Sequence, residues 1–158
     1  MEQYQDIYIF SHGYIYVYAS QNYIKKIDIK LSPIDSFSPN KNVLISKLFF
    51  LFDNYFKGKP INFNIPFSLE GLPKFTKNIL LTLYKNVPYG QTITYKELAK
   101  LSGNEKAARA IGNAMAKNPI PIIIPCHRVI KSDRTLGGYS GGGLIVKEFL
   151  LKIEKAIT

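Results

Sequence analysis

Thr94-Tyr95-Lys96-Glu97-Leu98-Ala99-Lys100-Leu101-Ser102-Gly103 reads as one short helix and the turn that ends it. Thr94 stands where an N-cap belongs, and Glu97, three residues on, completes a capping box, so that two N–H groups left free by the helix gain side-chain acceptors. Leu98, Ala99 and Leu101 are its apolar positions, and Ser102-Gly103 breaks the chain. A second helix is expected from about Asn104 to Lys117, stopped by Asn118-Pro119. Two short helices joined by a glycine-containing turn make a helix-turn-helix. Upstream, Pro73 to Asn86 predicts a further helix, with Pro at its first position and Phe75, Ile79, Leu80 and Leu83 on one apolar stripe. Pro88-Tyr89-Gly90 separates it from the pair.

The second helix of the pair holds Ala107, Ala108, Ala110, Gly112, Ala114 and Ala116, with Arg109 alone among them. Gly112 costs about 1 kcal/mol of helix propensity relative to Ala, which implies a packing or functional reason for it. Tight packing on another helix would use these small residues. Close approach to a DNA groove would use them too, with Arg109 reaching the bases.

Charge separates this region from the rest. Of 158 residues, 21 are Lys or Arg and 11 Asp or Glu, a formal charge of +10. Divided near residue 68, in the Pro/Gly-containing stretch from Lys57 to Pro73, residues 1–68 carry +2 and residues 69–158 carry +8, with every arginine. The aromatics run the other way, with 7 of 11 Tyr and 8 of 10 Phe before residue 69. The expectation is a structural domain over 1–68 and a polyanion-binding domain over 69–158. A general lysine bias would produce the same excess without a ligand.

In the first domain, Ile7 to Phe10, Tyr14 to Ala19 and Tyr23 to Lys30 read as strands, with Tyr14, Tyr16 and Tyr18 alternating with Ile15 and Val17. Asn42 to Phe56 reads as an apolar-rich helix. The fold class is therefore an α/β N-terminal module, a three-stranded antiparallel sheet plus a helix, followed by a mainly α domain bearing the helix-turn-helix, winged-helix-like. No residue of 1–68 suggests chemistry, and His12 falls at a turn. The longest apolar runs, Leu48 to Phe52 and Ile120 to Ile124, fall far short of the ~20 residues of a membrane helix. The start, Met1-Glu2-Gln3-Tyr4-Gln5-Asp6, lacks the basic and apolar regions of a signal peptide. A soluble, intracellular protein with no membrane partner is expected.

The one cysteine lies in Ile122-Ile123-Ile124-Pro125-Cys126-His127-Arg128-Val129-Ile130, which reads as a buried strand running into Pro-Cys-His-Arg. One cysteine excludes an internal disulfide and any Cys-rich zinc module. Neighbouring cations favour thiolate, the nucleophilic form. On a regular strand Cys126 and His127 would point to opposite faces, and Pro125 introduces a bend that lets them meet directly or through water. A base also needs a group that orients its second nitrogen. Glu154, on a final helix read from Leu144 to Ile157, is a candidate by residue type. Between them, Gly137-Gly138-Tyr139-Ser140-Gly141-Gly142-Gly143 has five glycines in seven positions. It lacks the Gly-x-x-x-x-Gly-Lys-Ser/Thr string of a phosphate loop. A loop closing over a planar ligand and a plain flexible loop both fit it.

These pieces together resemble the O6-alkylguanine-DNA alkyltransferases, single-use DNA-repair proteins. The resemblance rests on Pro125-Cys126-His127-Arg128-Val129, Ala108-Arg109-Ala110-Ile111-Gly112, Asn118-Pro119, Tyr139-Ser140-Gly141-Gly142 and Thr94-Tyr95, and covers roughly residues 73–154. It implies a methylated-DNA–protein-cysteine methyltransferase that moves an alkyl group irreversibly and stoichiometrically from O6-alkylguanine in DNA to Cys126, with O4-alkylthymine left open as a second substrate. The second helix would enter the minor groove and the damaged base would be flipped out, at a cost of a few kcal/mol. Arg109 would fill the vacated space, Tyr95 would rotate the nucleotide and return a proton to guanine, and Ala107, Ala108 and Gly112 would be close-approach positions. Arg128, Thr76 and Lys77 are further expected DNA contacts. His127, through a water, would take the thiol proton, Glu154 would hold the imidazole, and Asn118 would support the turn. Val129, Tyr139, Ser140, Gly141 and Lys147 would form the substrate pocket, Lys147 beside its lid. The segment Lys131 to Leu136 is about a residue longer than in some relatives, which leaves Glu148 as the second choice of acid behind Glu154.

The implied protein is a monomer that binds double-stranded DNA carrying O6-alkylguanine and needs no metal or other cofactor. It would be cytoplasmic, nucleoid-associated in a prokaryote and nuclear in a eukaryote. The alternative is a non-catalytic helix-turn-helix module that recognises damage; the intact Cys126-His127 pair argues against it. A Cys–His hydrolase would leave the basic helix without a role.

Overall fold

Gly13–Ala19 (β2) is the middle strand of a three-stranded antiparallel sheet, between Tyr4–Phe10 (β1) and Ile24–Lys30 (β3). The computed structural model describes residues 2–158, so Met1, the first residue of the expected N-terminal domain, lies outside them. Gly13 makes the first hairpin turn at φ 151°, where an added Cβ would lie 2.3 Å from the Lys30 carbonyl oxygen. The period-2 pattern holds along β2, with Ile15, Val17 and Ala19 buried on one face. Tyr16, on the other, is also fully buried, its hydroxyl accepting from the Ile34 amide and its ring meeting Phe37 edge-on. A register shift between Tyr18 and Ala19 explains why the buried residues of β3 are Ile24, Ile27 and Ile29 rather than a strict alternation.

Val43–Tyr55 (α1) covers the sheet. Its N-cap is Asn42, whose side chain accepts from the Ile45 amide, and it buries Ile45, Leu48, Phe52 and Tyr55. This is the helix expected from the sequence. The outer edge of β3 is taken up by other segments: Ile24 bonds Pro66 and Ser68, and the Ile27 amide donates to the Pro119 carbonyl at 2.8 Å. An edge strand that would otherwise expose free amides is thus used to hold the chain just before the cysteine segment.

Lys74–Asn86 (α2) begins one residue after Pro73, which is the N-cap rather than the first helical residue. Its buried positions are Thr76, Ile79, Leu80 and Leu83, while Phe75 is 37% exposed. Three positions of the expected stripe are buried as read, and at its start Thr76 takes the inner place instead of Phe75. Ile93–Thr94 (β4) leads into Tyr95–Leu101 (α3). The capping box forms as read: the Thr94 hydroxyl accepts from the Glu97 amide at 3.0 Å, and the Thr94 amide donates to Glu97 at 3.2 Å. The second helix, Ala108–Ala116 (α4), is shorter than the expected span from Asn104. Gly103 sits at φ 82°, and the Asn104 side chain donates to the Ser102 carbonyl, so Asn104 to Ala107 are used as turn.

Ile120 to Ile124 is not the expected strand. Pro121 and Ile124 form an isolated bridge, Ile122 has φ 76°, and Cys126–Arg128 is a single 3-10 turn. Three prolines, at 119, 121 and 125, remove the donors that a strand ladder would need. Val129–Ile130 (β5) then pairs parallel with β4, Ile93 opposite Val129 and Thr94 opposite Ile130. The last helix, Leu144–Ile153 (α5), stops before Glu154, its C-cap, because Lys155 takes a left-handed conformation at φ 58°. It buries Val146, Lys147, Leu150 and Leu151, whereas Leu144 is exposed. Among the described residues, no helix is long and apolar enough to cross a membrane.

Thr94→Ala removes the reciprocal cap of α3 and is expected to cost about 1 kcal/mol of stability. Urea unfolding of the two proteins, compared at equal slope, measures it.

Candidate active site

Asn118 builds the turn that carries Cys126. Its amide donates to the Ile124 carbonyl at 2.9 Å and its side-chain oxygen accepts from the Ile120 amide at 3.1 Å, so one buried side chain closes the loop from both ends. The 3-10 turn places Cys126, His127 and Arg128 one after another in the interior. Cys126 is 4% exposed and reaches a cavity of about 300 Å³ lined by Tyr95, Gly112, Met115, Cys126, Tyr139 and Ser140, among others. Burial pushes its thiol up to about 11, and Asn118 and Lys147 offset this only in part. A thiol so placed needs a proton acceptor before it can attack.

His127 is fully buried behind it. Its Nε2 lies 2.7 Å from Glu154 Oε2. Arg128 grips the same carboxylate, Nε to Oε1 at 2.8 Å and Nη2 to Oε2 at 3.1 Å, while Nη1 donates to the Val87 carbonyl. Burial by itself would raise the Glu154 carboxyl, but the bonds and charges of His127 and Arg128 outweigh it and hold the group well below the usual carboxylate range. For His127, burial dominates and lowers the imidazole from its ordinary value. With Glu154 ionised, Nε2 must carry the hydrogen, which leaves the lone pair on Nδ1. Nδ1 is buried and has no protein partner. The Tyr139 hydroxyl is likewise buried without a partner, and its ring stands edge-on to His127 at 6.4 Å.

Tyr95, the first residue of α3, faces the cysteine, and its hydroxyl is raised by burial and then by the Cys126 charge. The capped start of α3 and the β4–β5 pair fix this approach, since Val129 follows Cys126 by three residues. Lys147 does not line the cavity. It is buried under the glycine loop, its Nζ donating to the Val129 carbonyl at 2.7 Å and the Gly138 carbonyl at 3.1 Å. Desolvation lowers it to about 8. Val129 and Gly141 are buried beside the cavity rather than on its wall. At Gly141 a Cβ would fall 2.6 Å from the Tyr139 ring, so any side chain there would force that ring to shift.

On α4, Ile111, Ala114 and Met115 face inward, and Arg109 is exposed. Ala107, Ala108 and Gly112 are half-buried. A Cβ added at Gly112 would meet nothing within 4 Å, so internal packing does not demand glycine here. Two of the expected DNA contacts are placed differently. Arg128 is buried and its guanidinium is committed to Glu154 and Val87, because a carboxylate in the interior requires a partner. Thr76 is 4% exposed on the inner side of α2 and has little surface to offer, whereas Lys77 beside it is half-buried. Of the two candidate acids, Glu154 holds the imidazole, and Glu148 pairs with Lys152 at the surface.

One site residue has no counterpart in the sequence reading. Tyr55 of α1 is fully buried, and its hydroxyl donates to Glu154 Oε2 at 2.5 Å across 99 positions of sequence. Its only local signal is the helical apolar stripe, which places it in the core but not beside a carboxylate.

Residues 74–156 match the family described as 6-O-methylguanine DNA methyltransferase, DNA binding domain. The chain is 50% identical over 104 residues to the methylated-DNA–protein-cysteine methyltransferase of Mus musculus, covering 58% of this chain and 49% of that one. It is 47% identical over 113 residues to the protein of the same name from Haemophilus influenzae, covering 71% and 62%. The chain spans about half the length of the mouse relative it matches. The fold is similar to that of Mycobacterium tuberculosis OGT in complex with DNA, with a TM-score of 0.84 and 30% identity over 95% of this chain and 91% of that one.

The depressed Glu154 carboxyl makes the unfolded chain the better proton binder below about pH 4.3, the ordinary Glu value. The stability it contributes is complete above that pH and is lost on acidification. Glu154→Gln is expected to cost about 3 kcal/mol at pH 7, since Arg128 is left buried without its charge partner. The loss should shrink between pH 4.5 and 3. Denaturant unfolding across that range measures both.

Proposed function

The chain belongs to the 6-O-methylguanine DNA methyltransferase family, and from that premise we propose that it repairs DNA by transferring an alkyl group from O6-alkylguanine to Cys126. One observation carries the reading: the chain's only thiol opens into a cavity walled by the helix-turn-helix and the glycine loop, with a buried His127–Glu154 pair behind it.

The binding step uses α4. Arg109 stands exposed beside Ala107, Ala108 and Gly112, and the free space at Gly112 lets a nucleic-acid backbone or base edge come close. Insertion of Arg109 into the stack would hold the extruded guanine's place while the base enters the cavity between Tyr95 and Tyr139. Lys77 supplies a phosphate partner. Residues 69–158 then form the DNA-reading domain and 1–68 the module that packs behind it; pairing of Ile24 with Pro66 and Ser68 supports a boundary near residue 68.

The chemistry follows from the protonation states. His127 Nδ1 takes the Cys126 proton through a water. The sulfur then attacks the alkyl carbon in line with the C–O6 bond. A C–S bond forms as C–O6 breaks, and its electron pair leaves on guanine O6. Tyr95 returns a proton to the departing base, and the imidazolium proton restores the balance. Glu154 holds the imidazole in the tautomer that leaves Nδ1 free, Asn118 holds the turn, and Lys147 holds the Val129 and Gly138 carbonyls so that Tyr139, Ser140 and Gly141 shape the pocket. The thioether has no ready leaving path, so each molecule reacts once. The protein works as a monomer on duplex DNA, in whichever compartment holds the genome. O6-alkylguanine is the substrate to which this pocket is assigned.

Mixing the protein with duplex DNA carrying O6-methylguanine should add one methyl to Cys126 by mass spectrometry, in a one-to-one ratio with bases repaired, and Cys126→Ser should abolish it. DNA binding without any mass gain would instead support a damage-recognition module. Arg109→Ala should slow reaction with the duplex at least tenfold while leaving reaction with the free O6-methylguanine base within twofold. Equal losses on both would show that Arg109 serves the fold rather than extrusion.

A further inference from the structure

We propose that Tyr55, a residue of the N-terminal module, is a positioning residue for the alkyl transfer: it orients and charge-balances Glu154, and through Glu154 sets the protonation of His127. The inference rests on the function proposed above.

The Glu154 carboxylate is asymmetric in its partners. Oε1 takes one donor, Arg128 Nε, whereas Oε2 takes three: Arg128 Nη2 at 3.1 Å, His127 Nε2 at 2.7 Å and the Tyr55 hydroxyl at 2.5 Å. The Tyr55 bond is the shortest and is charge-assisted, the strong kind. Arg128 and His127 reach Glu154 from the 3-10 turn, and only Tyr55 reaches it from the N-terminal module. Tyr89 reinforces the junction, its hydroxyl lying within hydrogen-bonding distance of both the Gly58 and Ile153 carbonyls, just beyond Tyr55 and just before Glu154. Burial and the Glu154 charge hold the Tyr55 phenol well above its ordinary value, so it remains a donor.

The consequence is electrostatic. A carboxylate that shares its charge with a phenol stabilises an imidazolium less. Groups facing His127 are Glu154, Arg128 and Lys147, with Tyr139 on the glycine loop and Cys126 next in sequence. Of these Glu154 alone favours the charged ring, so Tyr55 acts on the one neighbour that favours protonation of the base. Without the hydroxyl, the imidazolium gains stability, and the free lone pair on Nδ1 is lost at a higher pH.

The test is Tyr55→Phe, which keeps the ring against Phe56, Phe63 and Tyr89. Single-turnover methyl transfer from duplex O6-methylguanine should be roughly threefold slower on the acid side of its pH profile and little changed on the plateau above it. Its acid limb, and the midpoint of His127 titration followed by 15N NMR, should both move up by roughly half a unit or more. Tyr8→Phe removes another hydroxyl of the same module, one bonded to Asp53, and should change neither. If Tyr55→Phe does not fold, Tyr55→3-fluorotyrosine keeps the shape with a stronger donor and should move the His127 midpoint down. A His127 midpoint that stays in place or moves opposite to these directions overturns the inference. Should the wild-type protein transfer no methyl group, the proposed function fails, and the NMR titration still decides the role of Tyr55.

Discussion

A single buried carboxylate organises this molecule. Glu154 gathers His127 and Arg128 from the 3-10 turn and Tyr55 from α1, so three distant parts of the chain meet on two oxygen atoms. Burying such a charge costs several kcal/mol unless its hydrogen-bonding sites are filled, and here four donor atoms fill them. Because the partners must all be present, the turn, the last helix and the N-terminal module are held in one relative arrangement. The imidazole orientation, and with it the unpartnered Nδ1, follows from that arrangement.

A second constraint acts on the backbone. The segment from Asn118 to Pro125 has three prolines and one positive φ, and it is closed by the two bonds of Asn118 and tied to the sheet by the Ile27 amide. Cys126 is thereby presented at the floor of a cavity without lying on a regular strand. Beside that floor, Lys147 is bonded to the backbone rather than open to the cavity. Its ammonium is spent on two carbonyls, one from β5 and one from the glycine loop, and so ties the strand beside the cavity to that loop.

The helix-turn-helix was legible because its signals are local. The capping box at Thr94 and Glu97, the glycine turn and the small-residue helix each depend on residues a few positions apart. The three strands and α1 were legible for the same reason. Where the reading missed, a side chain or a backbone strain outside the pattern decided. Asn104 went to the turn, Lys155 ended α5, and the apolar run Ile120 to Ile124 curled because its prolines cannot pair. Arg128, read as a contact for DNA, lies inside because Glu154 lies inside. Gly112 left two explanations open from the sequence, and the empty space around its Cα removes internal packing from them.

What the sequence determined by itself was the chemistry available and its neighbourhood: one thiol, an imidazole and a guanidinium next to it, a helix-turn-helix upstream and a concentration of positive charge in the same half. Covalent adjacency and short-range periodicity carry that information. Which acid holds the imidazole, which cation is spent inside and which stays outside, and that a tyrosine of the first module touches the charge at the end of the last helix were decided only by the tertiary structure. Those pairings link residues up to 99 positions apart, and they follow from the need to satisfy a buried charge, a requirement that no local pattern in the chain expresses.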